Sequence, residues 1–350
     1  MRFFLSAFLL LLCASLSAQD PHSSFIGVAP SAYNPALTGL INGARSRVEV
    51  NSRHQWGTVT GRSDEFRTYM VNGETNLCLP SPRRCPTCGG DALSLGINVM
   101  SDRRGESPLY RLDANLAIAY RKVLNSNSNT TSLLSIGGKA GIISHSINFV
   151  DLTFNEQFDN PNLPPEISGT ANTFVPDYSV GIAYSRAATK RMEAVSYDFG
   201  LSMLHLNRPD FSLLEEVVDE RLGQTINTLY AAHFRASFPL NRFIAFNPSL
   251  VFRRQRPHQQ LLLATDFMWM LNNNYLMFTG IGYRFSSGAD QWRGDAFIAN
   301  MGLLLGGQLE ISFHFDAGTF VQQATPQALE LRLGYRFGDS ACNAVFCPNF

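Results

Sequence analysis

The stretch YRLDANLAIAY, residues 110–120, decides the fold because apolar and polar residues alternate along it one by one. Its even positions are apolar or aromatic, whereas its odd positions include Arg111, Asp113 and Asn115. Successive side chains of a β-strand point to opposite faces, so this period of two predicts a strand with one apolar and one polar face. The stretch is also as long as the about 9–11 residues with which a tilted strand crosses a membrane.

The same alternation recurs from about Ala44 to Phe337. In the last such stretch, LELRLGYRF, leucines and aromatic residues alternate with charged residues and glycine. Stretches of this kind are expected to start near Ala44, Ser63, Ala92, Leu109, Thr131, Asp177, Ala194, Thr228, Phe243, Gln260, Tyr275, Gly294, Gln308 and Ala328. The sequence therefore predicts an all-β fold, a transmembrane antiparallel outer-membrane β-barrel of about 14 strands, an even number as in single-chain bacterial barrels.

A soluble β-sandwich would alternate in the same way, but three features count against it. Many stretches are longer than the about 5–6 residues usual for globular strands. Aromatic residues sit near the stretch ends, as an interfacial girdle requires. The polar face also carries charged residues, which a sandwich core cannot bury and a water-filled lumen can accommodate. They are Lys139, Arg235, Asp266, Arg284, Glu310, Asp316 and Arg332.

Composition narrows the function classes. The 28 basic and 28 acidic residues cancel, so there is no electrostatic case for nucleic acid as a partner. The mean hydropathy of -0.05 is low for a helical membrane protein. After the first eighteen residues, no apolar run approaches the about 20 residues of a spanning helix. A membrane crossing would therefore use strands, with lipid as a partner.

The amino terminus resembles a secretory signal peptide over residues 1–18, with Arg2 as the positive start, an apolar stretch and a region of small residues. A lipoprotein signal at Cys13 is the alternative, disfavoured because Leu12 stands where a small residue is required. We expect residues 19–43 to form a periplasmic or plug segment. The barrel is expected at residues 44–338 and a periplasmic carboxy-terminal tail at residues 339–350.

The lengths of the connections predict which end of the barrel faces outward. With both barrel ends in the periplasm, alternate connections face the outside and should be the longer ones. The longest of these are residues 146–176 and 206–227. Exposed aromatic residues in such loops are typical of partner contacts. The candidate partner-contact residues are Phe149, Phe154, Phe158, Phe174 and Phe211.

Export to an oxidising compartment makes the cysteines candidates for disulfides. Beyond Cys13 in the signal peptide, the cluster comprises Cys78, Cys85, Cys88, Cys342 and Cys347. In a closed barrel the turn after the second strand and the tail lie on one sector of the periplasmic rim, about 10 Å apart. We expect at least one disulfide within the turn or between turn and tail. Purely local pairs, a zinc half-site and a redox pair remain alternatives.

No catalytic constellation is visible in the sequence. There is no glycine-rich phosphate loop between a strand and a helix, and no serine-nucleophile elbow. The seven histidines are scattered without metal-ligand spacing, and adjacent carboxylates such as Glu215 and Glu216 do not face one another. The sequence therefore predicts a non-enzyme with no catalytic residues, cofactor or metal site.

Several blocks of sequence resemble the PorP/SprF family of Bacteroidetes outer-membrane proteins. They include QDPHSSFIGVAPSAYNPALTG at residues 19–39, with its Asn-Pro-Ala box, and NSRHQW, LGINVMSDRRGE, LTFNEQFD, LHLNRPD, GIGYRF and LELRLGYRFG in family order. The ending CPNF is close to a common family ending. The CLPSPRRCPTC insert at residues 78–88 and the weakened opening depart from the family pattern.

The resemblance implies a function. It implies a non-enzymatic outer-membrane component of type IX secretion and gliding. Such a protein anchors a cell-surface adhesin or helps to export it, and it binds the adhesin or the adhesin's carboxy-terminal domain. It also contacts periplasmic type IX components. The alternative is a solute-conducting porin or transporter, although a general porin usually has about 16–18 strands.

Overall fold

The computed structural model describes residues 20, 23–24, 27, 29–41, 43–55, 66–77, 91–104, 109–148, 170–188, 194–211, 225–272, 274–287, 291–319 and 327–339. These residues form a closed barrel of 14 antiparallel strands. The strands are β1 (Ala44–Gln55), β2 (Phe66–Leu77), β3 (Ala92–Arg104), β4 (Leu109–Ser126), β5 (Thr130–Asn148), β6 (Thr170–Ala188), β7 (Ser196–Leu204), β8 (Leu229–Pro239), β9 (Ile244–Gln255), β10 (His258–Met270), β11 (Tyr275–Ser287), β12 (Trp292–Leu305), β13 (Leu309–Gly318) and β14 (Gln327–Asp339).

The strands follow one another around the barrel in sequence order, and β14 pairs with β1 to close it. The closing register runs from Ala44 opposite Asp339 to Gln55 opposite Ala328. Lipid offers no hydrogen bonds to a free main chain, so a sheet crosses a membrane only when its strands pair around a closed ring. The fold class expected from the alternating sequence is confirmed. All expected strand starts but one lie within three residues of the observed starts.

The outward and inward faces follow the alternation. In β13, Phe313 exposes 48% of its surface on the outside, whereas Ser312 is fully buried on the inside. In β4, Leu116 is exposed outside, while Arg111 and Asp113 are buried inside. The barrel is therefore apolar where lipid meets it and polar within.

The exception among the strand starts is β6, which begins at Thr170 rather than near Asp177. Correspondingly, β5 continues to Asn148, so the long outer connection is residues 149–169 and not 146–176. Pro176 suggested a loop because proline lacks an N–H for the ladder. In β6 the nitrogen of Pro176 lies on the side away from β5. The missing N–H therefore does not interrupt the hydrogen bonds between β5 and β6.

Short turns mark one end of the barrel. In three of them an asparagine side chain accepts hydrogen bonds from main-chain N–H groups two and three residues later: Asn127, Asn241 and Asn272. In a fourth turn, Gly306 and Gly307 take positive φ angles of 61° and 69°. Short turns are periplasmic in outer-membrane barrels, so the opposite end is the outer one. One outer connection is as short, because β9 and β10 are joined by residues 256–257 alone.

Helical structure among the described residues is confined to two short elements ahead of β1. They are α1 (Pro30–Tyr33) and a 3-10 helix (Pro35–Leu37). No helix in the described part of the chain is long and apolar enough to cross a membrane.

Candidate functional site

The segment ahead of β1 lies inside the barrel. Asp20 contacts His205 and Gln255, which lie at the outer ends of β7 and β9. The main-chain N–H of Gly39 donates to Glu74 near the periplasmic end of β2, and Gly43 then leads into β1. The described residues between 20 and 41 therefore cross the lumen from its outer end to its periplasmic end. We call them the plug.

Asn34 fixes the middle of the plug to the wall. Its Nδ2 donates to the carbonyl oxygens of Ile182 at 3.2 Å and Leu201 at 3.3 Å, on β6 and β7. Its Oδ1 accepts the N–H of Ala36 at 3.0 Å and so caps the 3-10 helix. A single side chain therefore joins the turn of the plug to two strands, with both ends of its amide group used.

Three glycines on adjacent strands make room for this turn. A Cβ on Gly181 of β6 or Gly200 of β7 would overlap the amide of Asn34. A Cβ on Gly137 of β5, which pairs with Gly181, would overlap the backbone of Pro35. We call these three glycines, with Asn34 and Pro35, the plug seat. Its glycines occupy lumenal positions at which the strand pattern would otherwise place a side chain.

Below the plug seat, the plug packs through apolar contacts. Leu37 and Leu40 lie against Leu133 of β5 and Ala187 of β6, and Leu37 is fully buried. Burying a leucine side chain contributes about 1.5–3 kcal/mol. This cluster is apolar although it lies on the inner face of the barrel, so it anchors the periplasmic half of the plug.

The outer end of the plug is held by charge. Nε2 of His205 lies 2.6 Å from Asp20, and its Nδ1 lies 2.8 Å from Asp177 of β6. Arg111 of β4 donates to Asp20 at 2.6 Å and also pairs with Asp113. The backbone of His205 takes a φ of 56°, unusual for a residue other than glycine, where the chain leaves β7. We call this group the outer clamp.

The outer clamp sets the charge states of its members. Burial alone would lower the pKa of His205, but the carboxylates of Asp20 and Asp177 outweigh it and raise that pKa to about 9. Burial alone would raise the pKa of Asp20, but His205 and Arg111 hold it well below its usual range. At neutral pH the outer clamp therefore joins a cationic histidine to an anionic aspartate.

Many of the other lumenal charges form ion pairs around the plug. Arg53 bridges Asp316 at 3.0 Å and Glu330 at 3.1 Å, and Arg332 contacts Glu49 and Glu310. Of the charged residues predicted on the polar face, six are buried inside: Arg235, Asp266, Arg284, Glu310, Asp316 and Arg332. Lys139 is partly buried there. Plug and wall side chains occupy much of the lumen, and most of these charges are paired, as burial requires. Asp266 instead accepts a hydrogen bond from Asn300.

The outer end of β6 is less completely paired than the rest of the barrel. On the side away from β5, β6 pairs with β7 only from Val180 to Arg186. Farther out, Tyr178 is bonded by the chain after β7, through the N–H of Leu206 and the side chain of Asn207. Asn207 also donates to the carbonyl oxygen of Pro176 at 2.6 Å.

Beyond Pro176, no described segment pairs with the edge of β6 that faces away from β5. The N–H and C=O of one residue in an antiparallel strand point to the same side, and alternate residues share that side. The main-chain groups of Tyr178 and Pro176 point away from β5. Those of Thr170, Asn172 and Phe174 therefore point the same way. Among the described segments, none bonds to these three residues on that side. We call them the outer edge. Phe174 exposes 70% of its surface there.

The structure separates two predicted contact residues. Phe174 projects from the outer edge, whereas Phe211 is buried, packs with Ile143 and Ile226, and stacks on His145 at 4.6 Å. Phe211 thus covers the inner face of the strands and presents no surface to a partner in this arrangement. The other predicted residues lie outside the described residues: Phe149, Phe154, Phe158, Cys78, Cys85, Cys88, Cys342 and Cys347.

Sequence reasoning missed the plug seat and the outer clamp. The Asn-Pro-Ala box was noted only as a point of resemblance, and His205 only as one of several scattered histidines. Glycines at lumenal positions of β5, β6 and β7 were the available signal. Within the described ranges, no group of three His, Cys, Asp or Glu residues is placed to hold a metal ion.

A family model described as type IX secretion system membrane protein PorP/SprF matches residues 15–335. A search of curated protein sequences found no match. Among solved structures, a Pseudomonas aeruginosa FadL homologue is 13% identical, with a TM-score of 0.46, over 88% of this chain and 94% of that chain. CdiB from Escherichia coli is 10% identical, with a TM-score of 0.46, over 84% of this chain and 63% of CdiB.

Proposed function

The chain belongs to the PorP/SprF family of type IX secretion system membrane proteins, and on that premise we propose that it anchors an exported adhesin at the cell surface. The protein is an outer-membrane component of type IX secretion. The proposal adds that the barrel is an attachment device, with the adhesin or its carboxy-terminal domain at its outer end and secretion machinery at its periplasmic end. In this role it catalyses no reaction and needs no cofactor.

The plugged lumen is the observation that carries this proposal against a conducting porin. The plug crosses the lumen, is bonded at its middle by Asn34 and is held at its outer end by Asp20. A solute would have to displace these contacts and pass the buried ion pairs of the wall. A barrel closed in this way offers its two rims, rather than its interior, to other molecules.

The outer edge supplies an attachment mode. Unpaired N–H and C=O groups along a strand edge recruit an extended segment of another chain, and main-chain hydrogen bonds then give the affinity. We place an extended strand of the adhesin beside Thr170, Asn172 and Phe174. Phe174 would contact an apolar side chain of that strand, because neighbouring residues on paired strands interact across the pair.

Proline substitution tests this mode. Asn172→Pro removes an N–H from the outer edge, and Pro176 shows that β6 accepts proline at a position of this kind. Asn172→Ala is the matched control, because it changes the side chain and keeps the main-chain donor. Type IX cargo on intact cells is measured by protease shaving and mass spectrometry, and compared with cargo in the medium.

We expect Asn172→Pro to move cargo from the cells to the medium, with surface cargo reduced about tenfold for the lost main-chain pairing. Asn172→Ala should retain it. Equal surface cargo in both variants would exclude the outer edge as the attachment point. Surface cargo unaffected by deletion of the whole gene would exclude the anchoring function itself.

Conductance tests the porin alternative directly. The folded, purified wild-type protein in planar bilayers should show no stable channel. An ohmic conductance from the wild type would overturn the closed-lumen argument and favour a transporter.

A further inference from the structure

A cavity remains between the plug and the barrel wall, just inside the outer clamp. Its volume is about 80 Å³, which holds several waters or one small ligand, since a single water needs about 10–15 Å³. Its lining includes Tyr33 of the plug, Asn72 of β2, Asn98 of β3, Lys139 of β5 and Arg253 of β9. The cavity therefore lies between strands on opposite sides of the barrel.

The lining carries one more positive than negative charge: Lys139, Arg253, Arg111 and His205 stand against Asp20, Asp113 and Asp177. Arg111 and His205 are neutralised by the aspartates of the outer clamp and by Asp113. Among the described residues, Lys139 donates to the carbonyl oxygen of Ala32 alone, at 3.4 Å. The guanidinium of Arg253 lies 4.0 Å from the ring centroid of Tyr33. Neither Lys139 nor Arg253 has a carboxylate partner in the described part of the chain, although an enclosed cation normally requires one.

Hydrogen-bond donors are also in excess there. Nδ2 of Asn72, Nδ2 of Asn98 and Nε of Arg253 are buried without an acceptor. Asn72 and Asn98 are only 2% and 6% exposed, and Oδ1 of Asn98 already accepts from Ser31. The lining's unpaired acceptor among the described residues is Oδ1 of Asn115. A ligand that complements this wall must accept several hydrogen bonds and carry negative charge.

We infer that the cavity binds one small oxyanion, a carboxylate or a phosphate, between Lys139 and Arg253. Arginine and lysine donate strong, charge-assisted hydrogen bonds to both groups. The amides of Asn72 and Asn98 supply further donors. Ala32 and Tyr33 of the plug touch Lys139 and Arg253, so the bound anion joins plug and wall and stabilises the closed lumen. This inference is independent of adhesin attachment.

Anion titration of the folded protein in detergent tests the site. Inorganic phosphate and acetate are added separately at constant ionic strength against chloride, and binding is followed by calorimetry and thermal unfolding. A saturable rise in melting temperature with either anion supports the site, and the tighter binder identifies the source as phosphate-like or carboxylate-like. An anion retained through purification is sought by ion chromatography of the denatured protein, where about one equivalent also supports the site.

Substitutions locate the binding. Lys139→Met and Arg253→Met should each weaken binding at least about tenfold, as the loss of one charge-assisted hydrogen bond predicts. Lys122→Met removes the same charge from the periplasmic end of β4 and should leave binding unchanged. Heat-modifiable gel mobility confirms that each variant folds, and Asn72→Leu tests the donor set without changing charge.

Two results overturn the inference. The first is the absence of both saturable binding and retained anion in the wild type, which leaves a cavity that holds water. The second is an equal loss of binding in Lys122→Met and Lys139→Met, which assigns the effect to net charge. Neither result bears on cargo display, so the proposed function stands or falls separately.

Discussion

The plug seat and the outer edge are built from the same strand in opposite ways. At Gly181, β6 is paired on both sides and gives up its side chain so that Asn34 can reach the carbonyl oxygens of Ile182 and Leu201. At Asn172, some nine residues farther out, β6 is paired on one side and keeps its side chains. The first region is stabilised by contacts on every side. In the second, no described segment pairs with the main-chain groups of β6 on the side away from β5.

The largest effect on the free energy of unfolding is expected on the lipid-facing surface of the barrel wall. Phe313→Arg places a charge on the lipid-facing side of β13 and should cost about 2–4 kcal/mol near the bilayer midplane. Urea unfolding in liposomes and heat-modifiable mobility measure it. Ser312→Ala on the inner face is the control, because Ser312 is fully buried opposite Arg332 and leaves no room for a larger side chain. Equal destabilisation by both substitutions would contradict the facing assignment.

The second largest effect on the free energy of unfolding is expected at the plug seat. Gly181→Ala introduces a Cβ that overlaps Asn34, so either the plug or β6 must shift. Overpacking of this kind costs about 1–3 kcal/mol. Gly138→Ala is the matched control, because a Cβ there would meet only the carbonyl oxygen of Ser179, at 3.8 Å. The variants are compared by urea unfolding and by bilayer conductance.

We expect Gly181→Ala to lower the free energy of unfolding and to admit transient channel openings, while Gly138→Ala remains close to wild type. If the two variants have the same free energy of unfolding and neither conducts ions, the plug does not depend on the plug seat.

The barrel was predictable from sequence because lipid imposes a period of two on every spanning strand. The alternation around Leu116 and Phe313 reports that constraint residue by residue. For residues 19–43 the sequence left open a periplasmic or a plug segment. The plug seat was not predictable, because Asn34, Gly137 and Gly181 are brought together from distant positions by closure of the barrel. The alternation predicted charges inside the barrel, but sequence alone does not reveal which of them pair, as Arg53 and Glu330 do.

A smaller effect is expected at the outer clamp, where pH changes the charge of His205. Because its pKa is raised from 6.5 to about 9, its stabilising contribution is complete below pH 6.5 and is lost as pH rises through about 9. The charged groups facing it are Asp20, Asp177, Arg111 and Lys139. Hydrogen exchange of plug amides, corrected for its intrinsic pH dependence, should report weaker protection above pH 9 than below 6.5.

His205→Gln is the control for this pH dependence, because glutamine keeps a hydrogen-bonding side chain without the titrating ring. In His205→Gln the plug amides should be less protected from hydrogen exchange at low pH. Their protection should not fall further as the pH rises through about 9. A step of the same size in His205→Gln would assign the pH dependence to another group.

The smallest effect on stability is expected at the outer edge, where Phe174 exposes 70% of its surface. Phe174→Ser should change the free energy of unfolding by no more than about 0.5 kcal/mol, as surface substitutions usually do. If the outer edge binds an extended strand of the adhesin, the same substitution should still lower surface cargo several-fold, because it removes the large apolar contact beside the main-chain pairing. Urea unfolding and protease shaving of intact cells measure the two quantities on the same variant. A destabilised Phe174→Ser barrel would show that another part of the chain already packs on this ring. A stable variant with full surface cargo would remove Phe174 from the attachment site.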